Sequence, residues 1–354
     1  VEIGITGLPN VGKSTLFNAL ANQNVPAENF PFTTIEPNVG IVPLPDPRLA
    51  KLGEIFKPQK LTPAPVRFVD IAGLVKGASE GQGLGNKFLA DVREADALIQ
   101  VVRLFRNDKV ADVLGSSDPK EEIAIIETEL LLSDLEQANR AREKISGAAR
   151  TGDKDAKQTT LILDALIAGF NAGKTAHALF AEASAQFNFL TAKEILYVLN
   201  YDDLTPESAL AETKEYVERA RRAACAAVNA SLEYELSRME SPERDAFRKE
   251  MGLPGGALDE IIKKAYKVLG LITFYTVVGQ EVRAWPIKEG TTVRSAAGKI
   301  HSDMEKGFIR ADVYPFDKLV ESGSEKDLHE KGLVRSEGNA YVVRDGDVIR
   351  VKFR

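Results

Sequence analysis

Gly7-Leu8-Pro9-Asn10-Val11-Gly12-Lys13-Ser14 has the spacing G-x-x-x-x-G-K-S/T. Small residues at these positions let successive backbone N–H groups converge on phosphate oxygens at a helix N-terminus. Asn10, Val11, Gly12, Lys13, Ser14 and Thr15 are therefore the candidate phosphate contacts. Lys13 supplies a flexible cation for the β- and γ-phosphates, and Ser14 a hydroxyl ligand for Mg2+. Asp70-Ile71-Ala72-Gly73 fits the companion role, in which Asp70 holds Mg2+ through water and the Gly73 N–H senses a γ-phosphate. Between the two lies the turn-rich stretch Phe30-Pro31-Phe32-Thr33-Thr34-Ile35-Glu36-Pro37, where Thr34 is either a further Mg2+ ligand or a turn cap. Four glycines within Lys76–Gly85 read as a mobile switch after Gly73.

Lys13, Asn10, Gly73 and Leu74 make up the candidate catalytic set. Leu74 stands directly after D-x-x-G, where many GTPases place a water-orienting Gln. Leucine has no hydrogen-bonding group, so slow turnover is expected, well below the ~10 s⁻¹ of a median enzyme. The Asn10 side-chain oxygen either holds a K+ ion against the phosphates or stabilises the turn of the loop.

A base site is expected from Asn200-Tyr201-Asp202-Asp203, in which Asn200 and Asp203 grip the nucleobase and Tyr201 replaces the usual Lys. Asn229 and Ala230 fall where a second base-contacting loop belongs, with a plain helix cap as the alternative. Without the Lys stem that covers guanine, a guanine site gives up much of its specificity. Adenine needs an acceptor for its amine and a surface to stack on, so ATP is expected over GTP, with GTP as the alternative. His177, His301 and His329 are scattered without metal-ligand spacing.

The elements that must hold these residues can be read from the surrounding pattern. Val1–Ile5 is a strand, the glycine loop follows, and Thr15–Leu20 is helical. Val66–Asp70, Ala97–Val102 and Ile195–Leu199 are further apolar strands separated by helical stretches, which predicts a parallel α/β sheet. The stretch 127–190 is too long for an ordinary crossover. Ile123, Ile126, Leu130, Leu131, Leu135 and Ala138, then Leu163, Leu166, Ile167 and Phe170, recur at helical spacing and predict an inserted helical hairpin. Residues 139–158 at its tip hold six basic side chains against three acidic ones, either a solvated end or an RNA contact. After Gly270 short alternating segments predict a β-rich domain, closed by a hairpin of Tyr341–Arg344 and Val348–Phe353. The expected division is 1–126 and 191–268 for the α/β domain, 127–190 for the hairpin and 269–354 for the β domain.

Composition narrows the partners. At 354 residues and 44% hydrophobic, the chain is large enough for more than one core. Its formal net charge of −6 gives no global attraction to nucleic acid or anionic lipid, so an RNA contact needs a local patch. One cysteine, Cys225, excludes an intramolecular disulfide and fits a reducing compartment. No apolar run nears the ~20 residues of a membrane helix. With Val1–Ile5 in place of a leader, the expectation is a cytoplasmic protein with neither a membrane nor a DNA partner.

The phosphate loop, Asn29–Asn38 and Asp70–Ser79 together resemble the YchF branch of the Obg-like P-loop NTPases. The similarity runs through the hairpin to a C-terminal segment that looks like a TGS domain with a β-grasp fold. The resemblance implies a cytosolic Mg2+-dependent NTPase that prefers ATP and associates with the ribosome in translation or stress responses. The hairpin and TGS domain would meet the ribosome or its RNA. A GTPase of the same fold and a nucleotide-gated scaffold are the competing readings. Two positions depart from the family pattern. Asp203 stands where members commonly have Glu, and Asp112 where many have a His proposed to help hydrolysis, so no catalytic duty passes to Asp112.

Overall fold

A computed structural model of the chain describes residues 1–22, 38–73, 84–106, 118–179, 187–253 and 255–354. Thr34, Leu74 and Asp112 fall outside them, as does most of the glycine-rich stretch after Gly73.

Five of the six residues of β1 (Glu2–Gly7) are buried, which is what an apolar strand covered on both faces requires. The chain continues through α1 (Lys13–Ala21), β2 (Val39–Pro43), α2 (Pro47–Phe56), β3 (Lys60–Thr62) and β4 (Pro65–Asp70). Next come α3 (Leu84–Glu94), β5 (Ala97–Arg103), α4 (Pro119–Arg150), α5 (Lys154–Asn171), β6 (Ile195–Asn200) and β7 (Ala224–Val228). Six of these strands form one sheet in the order β2-β4-β1-β5-β6-β7. The pairs β1 with β5, β5 with β6 and β6 with β7 are parallel, as the alternation of strands and helices predicts. With β4 on one side of β1 and β5 on the other, the crossovers diverge. Such a reversal opens a crevice at the carboxyl ends of the strands.

The inserted hairpin is present, and it is longer than the apolar spacing alone marks out. Asp118 caps α4 by accepting from the Lys120 N–H, Pro119 follows at the first helical position, and 32 residues extend the helix about 48 Å. Asp153 caps α5 in the same way on the Ala156 N–H. Ala138, Leu163, Leu166 and Phe170 are buried between the helices, with Leu131, Leu135 and Ile167 packed against them. At the tip Arg140 pairs with Glu136 and Arg142 with Asp164, so two of the six basic residues are engaged within the arm itself.

The second sheet runs β11-β10-β12-β8-β9-β3. Its further strands are β8 (Leu271–Val278), β9 (Glu281–Lys288), β10 (Phe308–Pro315), β11 (Arg335–Glu337) and β12 (Asp347–Phe353). Phe274, Ile287, Val313 and Ile349 pack with Val293 and Ala296 of the helix Val293–Ile300 to form its core. The expected terminal hairpin does not form. β12 is flanked by β10 on one edge and β8 on the other, so Tyr341–Arg344 has no free edge to pair with. Val342 instead bridges Thr292.

The chain divides into two compact units. One contains Val1–Asn22 and Phe68–Ile261, and the other contains Ile41–Arg67 and Ile262–Arg354. In the second unit β3 pairs in parallel with β9, matching Lys60 with Glu281 and Thr62 with Arg283.

Candidate functional site

The phosphate loop follows β1 and bends where its sequence allows. Asn10 has φ 65 and Gly12 φ 92, both in the left-handed region. Asparagine tolerates that region better than most residues, and glycine does so without penalty. Gly12 is also sterically required, because a Cβ there would lie 2.2 Å from the Asn200 amide nitrogen. Leu8 and Val11 anchor the loop in the core. Gly12 occupies the cap position of α1 and no side chain caps that helix, which leaves its first-turn N–H groups aimed at the crevice. This is the arrangement that attracts a phosphate.

Three of the predicted side chains converge at that helix end. Lys13 forms an ion pair with Asp70 at the end of β4, both largely shielded from solvent. The Ser14 hydroxyl lies 3.4 Å from the other Asp70 carboxylate oxygen. Asp70 is held in place by its own N–H, which donates to the Asn38 carbonyl at 2.8 Å, and by the Ile71 N–H, which donates to Ile5 at 3.0 Å. Gly73 lies against the loop, where a Cβ would sit 3.6 Å from the Gly7 carbonyl oxygen. A hydroxyl and a carboxylate this close form a hard-oxygen set that suits Mg2+. Thr15 is half-buried in the first turn of α1.

The residues expected at the base are placed differently from one another. Asn200, at the end of β6, is 4% exposed and turned toward the phosphate loop. Its amide nitrogen donates to the Val11 carbonyl at 2.9 Å, and its oxygen accepts from the Ala230 N–H at 3.0 Å. It therefore ties the phosphate loop to the segment after β7. Tyr201 packs against the core cluster that holds Val102, Leu199 and Cys225, and its hydroxyl pKa is raised by burial and by the charges of Glu233 and Asp203. Asp203 is exposed; its neighbour Asp202 builds the turn by accepting from Thr205 at 2.7 Å. Asn229 caps the helix Ala230–Ser237 on the Leu232 N–H, the alternative foreseen for it. The sequence reading missed Phe105. Its ring lies 4.0 Å from where a Gly12 Cβ would be, and Arg103 stacks over it at 4.6 Å. It gives the site an aromatic wall, and only its place two residues past β5 hinted at this.

An uncapped helix behind a glycine loop, with a lysine, a serine and a strand-end aspartate gathered on it, defines a P-loop nucleoside triphosphatase. Comparison with known proteins agrees. Residues 2–144 match the family described as "50S ribosome-binding GTPase". Residues 271–354 match the C-terminal domain of YchF GTPases, described as a protein of unknown function. The "Ribosome-binding ATPase YchF" of Escherichia coli O157:H7 is 45% identical over 99% of both chains. That of Bacillus subtilis is 44% identical over 99% of this chain and 98% of its own. The solved structure of the Schizosaccharomyces pombe YchF GTPase superimposes with a TM-score of 0.87 at 31% identity, covering 99% of this chain and 97% of its own. The chain belongs to the YchF family. Among the described residues no helix is long and apolar enough to cross a membrane.

Proposed function

We propose that this protein is a slow, Mg2+-dependent triphosphatase that prefers ATP to GTP and works on the ribosome in translation or stress responses. The convergence of Lys13, Ser14, Asp70 and Gly73 on the open end of α1 carries this reading. Lys13 would hold the β- and γ-phosphates, and Ser14 and Asp70 would hold Mg2+ together with Thr34. Bound there, the ion would neutralise charge on the phosphate oxygens. Gly73 would offer its N–H to the γ-phosphate. With Leu74 after it, turnover would be slow. The names of the relatives support both the ATPase and the ribosome as partner, with the helical arm and the TGS-like unit as the contacts, and a cytoplasmic place follows from that partner.

The preference for ATP is argued from the base site. Tyr201 stands where the guanine clamp has its Lys and packs into the core, which leaves Asn200, already tied to Val11 and Ala230, and the exposed Asp203 as the remaining parts of a guanine clamp. Adenine needs less, and backbone carbonyls beside Asn229 and Ala230 can accept from its amine. Competition binding at fixed Mg2+ should show ATP binding more tightly. GTP binding at least tenfold tighter, about 1.4 kcal/mol, would establish the GTPase reading instead.

The same reading gives Asn10 a K+ ion to hold against the phosphates. Hydrolysis should then run faster in K+ than in a matched Na+ buffer, and equal rates would discard the K+ role of Asn10.

A further inference from the structure

β5 ends at Arg103, which stands opposite Asn200 in the parallel pairing with β6. The next N–H, that of Leu104, donates to the Asn200 carbonyl at 2.9 Å, and the Leu104 side chain packs into the core. The chain leaving β5 is therefore held against the same residue whose amide ties down the phosphate loop. Phe105 follows, half-buried, with its ring reaching toward Gly12. Arg103 lays its side chain back along this short stretch. Its Nε donates to the Phe105 carbonyl at 3.1 Å, and its guanidinium carbon lies 4.6 Å from the centre of the Phe105 ring. The Arg103 N–H donates to the Glu122 carboxylate at 3.0 Å, which fixes the backbone from which that side chain starts.

A half-buried phenylalanine just past a strand can turn among staggered rotamers. Two contacts from one side chain hold it in the rotamer seen here. The bond to the carbonyl fixes the Phe105 backbone, and the guanidinium backs the ring by a cation–π contact. Lysine cannot replace it, because an ammonium has no plane to lay on the ring.

The chemistry of the ring says which part of a nucleotide it meets. An aromatic face offers nothing to a phosphate oxygen, whereas it stacks on a base or packs against a ribose. Its surroundings agree. Asn200 also accepts from Ala230, so Phe105, Asn200 and the segment after β7 are gathered on one flank of the phosphate loop. Lys13, Ser14 and Asp70 occupy the open end of α1.

We propose that Arg103 is a positioning residue for the nucleoside half of the triphosphate, acting through Phe105, which it holds as a wall for the base or ribose. The proposal rests on the nucleotide reading of the site.

The test is calorimetry on the full chain at fixed Mg2+, with a non-hydrolysable ATP analogue and with tripolyphosphate, which carries phosphates but no nucleoside. Arg103→Met keeps a stem of similar length and loses the charged plane. It should weaken the analogue at least about fivefold, the lower end of what a lost base–aromatic stack costs. Arg103→Lys should do the same. Tripolyphosphate affinity should stay within about twofold, which also shows that the phosphate loop is still folded. With ATP at saturation kcat should likewise stay within about twofold, since a contact made equally in the ground and transition states moves KM alone. Phe105→Leu should weaken the analogue at least as much as Arg103→Met. The double variant should be no weaker than Phe105→Leu by itself, because two residues acting through one contact do not add. Losses that multiply in the double variant, unchanged analogue affinity in Arg103→Met, or equal losses for the analogue and tripolyphosphate would overturn the positioning role. Failure of the unsubstituted chain to bind either ligand would overturn the nucleotide reading itself, and the role of Arg103 with it.

Discussion

Asn200 joins two loops that are far apart in the chain, with 189 residues separating it from Val11. Replacing it with Ala leaves the Val11 carbonyl and the Ala230 N–H without their partner. An unsatisfied buried polar group costs about 1–3 kcal/mol. Asn200→Ala should therefore lower the melting temperature and weaken ATP binding at least tenfold, read by thermal unfolding and calorimetry; unchanged affinity would show that the tie does not shape the phosphate loop. The phosphate loop itself was legible in the sequence because its chemistry depends on local spacing, and Lys13, Ser14 and Asp70 do meet. The motif places Asn200 at the base, but a motif says which residues gather and not which way an amide turns, and the tie from Asn200 to Val11 and Ala230 was not legible in it. That direction is set by Val11 and Ala230, neither of which is its neighbour in sequence. Phe105 had no motif at all, and its closeness to Gly12 comes from the parallel pairing of β1 with β5, which sets the ends of the two strands side by side.

At the level of elements, the arm shows what periodicity can and cannot reveal. Leucines and isoleucines at 3–4 spacing marked the apolar seam, and the structure buries or packs every one that was named. Periodicity had nothing to say about Asp134 and Glu127, because an acid on a helix reads as a solvated face until its donors are known. Burial raises the Asp134 carboxyl pKa, opposed in part by the bonds from Thr191 and Leu190. A carboxyl raised in the folded state adds stability that is full below the unfolded value of about 3.9 and is lost as pH rises through the folded value. The stability of the unsubstituted protein relative to Asp134→Asn should therefore decline from about pH 4 upward and then level off. Urea unfolding of both proteins at several pH values between 4 and 8 would measure this, and a gap that widens with pH would contradict it. The false terminal hairpin has a related cause. Alternation identified β12 correctly, but the nearest strand-like run in sequence was assumed to be its partner, while β10 and β8 had already taken both of its edges.

At the scale of the whole molecule, the change of texture at Gly270 marked a β-rich unit but gave no sign that Ile41–Arg67 belongs with it. Those residues read as part of the α/β half because they lie between its first and second motifs. In the structure α2 lies against β9, with Leu49 and Leu52 buried, and β3 pairs along the edge of β9. Asp46 accepts from the Tyr275 hydroxyl, and Arg48 pairs with Asp345 at 2.7 Å. Burying each leucine is worth about 1.5–3 kcal/mol. Residues 269–354 made alone should therefore show poor chemical-shift dispersion, and the same stretch extended to 262–354 and joined to 41–67 by a flexible linker should fold with a cooperative melt. A cooperative melt of 269–354 by itself would show that α2 and β3 are dispensable.

The interleaving of the two units also sets a schedule for synthesis. The segment Ile41–Arg67 is made early, whereas Ile262–Arg354 is the last part of the chain. At about 5–20 residues per second, the translation of residues 68–261 keeps the first piece waiting on the order of 10–40 s for its partner. Throughout that interval the apolar side of α2 and the bonding edge of β3 are open to whatever else is near the tunnel exit. The second unit can close only at the end of translation, after the α/β unit, which runs to Ile261, has itself been made, so the segment Ile41–Arg67 stays unclaimed through most of synthesis. Aggregation, trigger-factor-like chaperoning and sensitivity to slow codons should all act on that segment first.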